Sequence, residues 1–139
     1  MAVHIYREQI KTRGETDIRD ITSLAAKAVQ QSGFNNGVVN VFVPGSTAAV
    51  TTIEFESGAI RDLRSAIERL VPMSMSYEHD QRWGDGNGYS HVRAALMKPG
   101  LAIPFENARL LLGTWQQLIL IDFDNRPRTR EIIFQVQGE

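Results

Sequence analysis

The sequence predicts an α+β fold: a largely antiparallel β-sheet or sandwich carrying two main helices and one short one. Three observations lead there. Helical and strand-like stretches intersperse without a regular βαβ rhythm, the last third is a series of short apolar β runs joined by turns, and only two long stretches show helical periodicity. With 139 residues, 42% hydrophobic and 22% charged, the chain has the composition of one globular domain spanning 1–139. A domain of this size buries roughly 70% of the surface its unfolded chain exposes.

Residues 3–12 mix β-branched, aromatic and charged side chains without a clean apolar face, which predicts an edge strand. From Asp20, the apolar positions Ile21, Leu24, Ala25, Ala28 and Val29 recur at helical spacing. Asp20 can accept the free amides at the start of that helix, and Gly33 can take the left-handed conformation that ends it. Residues 38–43 form a nearly continuous β-branched run between turn residues, predicting a strand buried on both faces. A further strand is expected over 48–55.

Ser57 and Gly58 open a second helix, with Ile60, Leu63, Ile67 and Leu70 on one side and a solvated charged face, halted by Pro72. The run Gly84-Asp85-Gly86-Asn87-Gly88 is a tight loop, because glycine adds backbone freedom that helices and strands must remove. A short helix is expected over 90–97, ended by Lys98-Pro99-Gly100, with His91 in its first turn. Strands follow at 101–105, 110–112, 117–123 and 131–137, and the turn residues Asp124 to Arg128 predict that the last two form a hairpin.

Fifteen basic against sixteen acidic residues leave a formal net charge of -1, which argues against nucleic acid and anionic membranes as partners. There is no cysteine, so any metal would need imidazole and oxygen ligands. No segment approaches the ~20 apolar residues that span a bilayer, and the start has no signal-peptide pattern, so the expected location is the cytoplasm.

Chemistry concentrates in the window 77–91, which holds two of the three histidines. His79, Asp85 and His91 carry the ligand types that suit zinc, manganese or a similar divalent ion. His91, in a first helical turn, feels the positive end of the helix dipole, which disfavours imidazolium and suits a ligand or base. The ordinary reading is a surface histidine, a turn aspartate, a capping Asn87 and a plain first-turn histidine, and spacing alone favours it. Ser46 and Thr47, in the turn after a strand, can offer hydroxyls and amides to an anion, and Glu54 is a candidate base or metal ligand. The alternative is a strand whose threonines follow β propensity and whose glutamate faces water. Arg126, Arg128 and Arg130 alternate, so in an extended chain they share one side and form a phosphate clamp, or else are three solvated arginines. Trp115, where a strand begins, suits a core or a subunit interface.

Taken together, several motifs in the same order resemble the YjbQ family, also called secondary thiamine-phosphate synthase enzymes. They are Asp20-Ile21-Thr22, Ser46-Thr47-Ala48-Ala49-Val50-Thr51 with Glu54, Tyr77-Glu78-His79-Asp80, Asp85-Gly86-Asn87 with Ser90-His91, Leu112-Gly113-Thr114-Trp115-Gln116-Gln117 and Arg126-Pro127-Arg128. The resemblance implies a homotrimer and a pocket at the subunit interface gathering histidine and acidic side chains, with His79, His91, Asp85, Glu54 and Gln116 as catalytic candidates. The family commonly has histidine, asparagine and histidine where this chain has Gly45, Ile53 and Tyr89. The implied reaction joins a pyrimidine diphosphate to a thiazole phosphate and releases pyrophosphate. In that reading zinc or magnesium is held by His79, Asp85 and His91, with Glu54 assisting. Arg126, Arg128, Ser46 and Thr47 meet phosphate, and His91 moves a proton. The alternatives are a non-catalytic trimer that binds a metal or small ligand, and a metal-assisted hydrolase.

Overall fold

The computed structural model describes residues 2–139. Two antiparallel sheets pack face to face, and helices cover only one outer side. The larger sheet has β1 (Ala2–Thr12), β8 (Arg128–Gly138), β3 (Gly37–Phe42), β5 (Gly100–Glu106) and β6 (Arg109–Leu110) in that order. The smaller has β2 (Asp17–Asp20), β7 (Gln117–Asp122) and β4 (Ala48–Ile53). The helices are α1 (Thr22–Ser32), α2 (Ser57–Leu70), α3 (Glu78–Trp83) and α4 (Gly88–Met97).

Alternation along β7 builds two cores, because successive side chains leave a strand on opposite faces. Leu118 and Leu120 join Val39, Val41, Phe134 and the Ala25, Ala28 and Val29 face of α1 between the sheets. Ile119 and Ile121 point the other way, against Ile67 of α2 and Ala94 of α4. The strand buried on both faces is therefore β7, not the predicted 38–43 run. In β3 only Val39 and Val41 turn inward, and Phe42 is 45% exposed, because no layer covers the outer face of the larger sheet. The expected apolar stripe of α2 also shortens, since Leu70 projects into solvent.

The predicted hairpin of the last two strands does not form. β7 hydrogen-bonds to β2 and β4, β8 to β1 and β3, so each already has partners on both edges and they lie in different sheets. The turn between them is a crossing from one sheet to the other. Its mirror is the β3–β4 connection, where Pro44 to Thr47 crosses in the opposite direction.

Local signals account for most boundaries. Asp20 accepts the Thr22 amide at 3.0 Å at the head of α1, and Gly33 ends the helix at φ 73°. Glu56 accepts the Gly58 and Ala59 amides at the head of α2, which stops β4 at Ile53 rather than at residue 55. Helix α3 has no counterpart in the sequence reading. Its six residues, closed by Gly84 at φ 71°, are too few to show a period.

Candidate functional site

Both crossings between the sheets end beneath one cavity, and the α3–α4 corner closes it from the side. Its volume is about 480 Å³, and Ser46, Thr47, His79, Asp85, His91 and Arg128 line it. Thus six of the predicted site residues come together. Arg130, Asn87 and Trp83 join them.

The floor is an ionic lattice built on two fully buried carboxylates. Asp122 and Asp124 are both 0% exposed. Arg130 donates through Nε to Asp122 Oδ2 at 2.7 Å and through Nη2 to Oδ1 at 2.8 Å, a fork that matches both carboxylate oxygens. Arg128 donates through Nε to Asp124 Oδ2 at 2.7 Å, and Asn87 Nδ2 donates to the other oxygen at 3.2 Å. Burial alone would raise the Asp124 carboxyl, but the donors Asn87, Asn125 and Arg128 outweigh it and hold the pKa at about 2. Thr47 accepts from Arg130 Nη2 at 2.6 Å and donates to Asp124 at 3.2 Å, so its hydroxyl, expected to meet phosphate, is already engaged.

Above the floor, α3 and α4 present two imidazoles whose ring centroids are 4.4 Å apart. His79 Nδ1 stands 3.4 Å from Asp85 Oδ1 and 3.6 Å from Asp80 Oδ1, and has no hydrogen-bond partner among the described residues. Asp80 also accepts the Gly88 amide at 2.8 Å, which ties the end of one helix to the start of the next. Burial, reinforced by neighbouring His79, lowers the His91 pKa below its ordinary value, against the pull of Asp85, Asp124 and Asp80. The neutral ring, with a free lone pair, is therefore the dominant form near pH 7.

The nitrogen and carboxylate separations test whether an ion fits. Four ligands at ~2.1 Å from a tetrahedral zinc lie roughly 3.4 Å from one another. His79 Nδ1 lies near that spacing from Asp85 and Asp80, at 3.4 and 3.6 Å, the three ligand atoms all fall within 4.8 Å of one another, and the histidine nitrogen is unbonded. Charge agrees. Asp80, Asp85, Asp122 and Asp124 against Arg128 and Arg130 leave two negative charges uncompensated when the imidazoles are neutral. The donor set fits a divalent cation.

Three predicted residues lie elsewhere. Arg126 is exposed ahead of β8 and does not line the cavity. Glu54 follows the far end of β4, and Gln116 donates there to Thr52 at 3.1 Å. Six strand residues at ~3.3 Å each put that end roughly 20 Å from Ser46. Tyr89 turns away from the cavity and donates to Glu15 at 2.9 Å; burial and that bond push its pKa up to about 12. Trp115 is 71% exposed, so it is not core. The reading of the sequence missed Asp80, Asn87, Trp83 and the buried pair Asp122 and Asp124. The alternation of Asp122 and Asp124 at the end of an apolar strand was the available signal.

The two-sheet sandwich is also the fold of several solved proteins. The chain matches the family described as UPF0047 protein YjbQ-like over residues 7–139, and belongs to that family. A UPF0047 protein of Methanothermobacter thermautotrophicus is 35% identical over 139 residues, covering 100% of this chain and 95% of the relative. YugU of Bacillus subtilis is 30% identical, covering 94% of this chain and 96% of its own. The crystal structure of a YbjQ-like protein of unknown function from Sulfolobus solfataricus superposes with a TM-score of 0.89 at 28% identity, covering 99% of this chain and 100% of that one. An uncharacterised conserved protein of the same family from Clostridium acetobutylicum gives 0.87 at 32% identity, covering 95% and 99%.

Proposed function

We propose that the cavity binds a divalent cation and a small phosphorylated metabolite and acts on the phosphate-bearing bond, in the manner of a thiamine-phosphate synthase-like transferase. The observation that carries this reading is the unpartnered His79 Nδ1, set 3.4 and 3.6 Å from two carboxylate oxygens. His79, Asp80 and Asp85 hold the ion, with His91 beside them. When bound, zinc or magnesium neutralises charge on a departing diphosphate and polarises a phosphate oxygen. Arg128 keeps guanidinium protons beyond those bonded to Asp124 and donates them to a phosphate oxygen, with Ser46 at the rim. The coupling forms a carbon–nitrogen bond to the thiazole and breaks the carbon–oxygen bond to the departing diphosphate without releasing a proton, so His91, neutral, offers its ring N–H to that diphosphate.

Glu54 and Gln116 enter this reading only through a second copy of the chain, because about 20 Å of β4 separates them from the cavity within one subunit. The resemblance to the family, with its implied homotrimer, supports that arrangement.

The test begins with elemental analysis and calorimetric titration of zinc and magnesium into protein purified without a histidine tag. His79→Ala is expected to weaken binding at least tenfold, the range that loss of one ligand or its support produces. Incubation with a pyrimidine diphosphate and a thiazole phosphate then reports product directly. Absence of metal binding sinks the reading. Metal binding with hydrolysis but no coupling replaces the transferase with a metal-assisted hydrolase, and binding without turnover leaves a ligand-binding protein.

A further inference from the structure

A second cavity of about 230 Å³ opens off the first, and the two share Gly45, Ser46 and His91. Its remaining walls are Ala48, Ala94, Ala95 and Pro99, without a charged or hydrogen-bonding side chain. One site thus has two compartments of opposite character: a polar one around His79, Asp85 and Arg128, and a partly open aliphatic annex beside His91.

Gly45 lines both compartments, its φ of 146° disfavours any side chain, and a Cβ there would stand 3.1 Å from Arg130 Nη1. The alanines matter similarly. Ala94 and Ala95 lie one helical turn beyond His91 on α4, and small side chains there leave the space that larger ones would fill. An apolar recess that small has little to gain from water, whereas an alkyl group entering it leaves water behind.

We propose that the ligand is amphiphilic: a phosphate monoester or diphosphate whose organic part ends in a short branched alkyl group, the phosphate lying in the polar compartment and the alkyl end in the annex. This rests on the phosphate reading above and specifies its substrate class. Ala94, Ala95 and Gly45 set specificity, and His91 stands between the headgroup and the tail.

Isobutyl phosphate and inorganic phosphate are the probes, titrated calorimetrically into the full chain at one magnesium concentration. Isobutyl phosphate is expected to bind about tenfold more tightly, since the partly open annex buries about half of its four carbons at ~0.8 kcal/mol each, and tenfold corresponds to 1.4 kcal/mol. Ala95→Phe, at an exposed position on α4, should bring the ratio of the two dissociation constants near one, and Ala95→Leu should leave it intermediate. Equal binding of the two probes to the unaltered protein overturns the annex and leaves the phosphate reading standing. A ratio unmoved by Ala95→Phe overturns it as well. If neither probe binds, both readings fall together.

Discussion

Two carboxylates without exposed surface, Asp122 and Asp124, govern the residues above them. Each is bonded to an arginine that lines the cavity, so the arginines arrive at the site already oriented and largely neutralised. Removing one partner of such a buried pair is costly, because it leaves the other charge uncompensated. The pH dependence follows from the direction of the shift. Asp124 has its pKa lowered from 3.8 to about 2, so its contribution is complete above pH 3.8 and disappears as pH falls through 2. Its size is about 2 kcal/mol at neutral pH. Asp124→Asn is therefore expected to lower stability at pH 7 and to flatten the stability curve between roughly pH 4 and 2. Urea unfolding at a series of pH values measures this, and an unchanged slope in that window would refute the account of Asp124.

At the scale of elements, the crossings between sheets matter more than the sheets themselves. The β7–β8 crossing packs on the loop after β1 at Gly14. That residue has φ 82°, and a Cβ there would stand 2.6 Å from the Asp124 carbonyl oxygen and 2.7 Å from that of Arg126. Gly14→Ala therefore meets both an unfavourable backbone region and two carbonyl groups that cannot swing aside. The expected loss is about 2 kcal/mol or more, together with weaker zinc binding at the proposed ion site as Asn125, which donates to the Asp85 carbonyl oxygen, shifts. Thermal denaturation and zinc titration of this variant check both effects. The same crossing explains the hairpin that did not form. Asp124 to Arg128 read correctly as a turn, but a turn motif specifies only that the chain reverses. Which strands then pair depends on partners far away in sequence, and β2, β4, β1 and β3 had already filled both edges of β7 and β8.

For the whole molecule, the uncovered outer face of the larger sheet stands out. Val3, Ile5 and Phe42 are 50%, 47% and 45% exposed there. Light scattering of the purified protein is expected to give three times the 15.6 kDa subunit mass. Mixing Glu54→Ala with His91→Ala protein is expected to restore part of the activity each lacks, if each site draws on two copies; a monomer mass, or no recovery, would place Glu54 outside the site. No helix among the described residues is long and apolar enough to cross a membrane. By itself the sequence determined the fold class, the positions of α1, α2 and α4, and the segment that brings two histidines to the cavity. Those features follow from periodicity, capping and glycine content, all of which act between near neighbours. Only the tertiary structure decided that β7 is the strand buried on both sides, that within one copy of the chain Asp80 lies beside His79 while Glu54, Gln116 and Arg126 lie away from it, and that Thr47 is bound within a buried lattice. These outcomes depend on which distant segments share an edge or a core, and pairings of that range leave no local pattern in the chain.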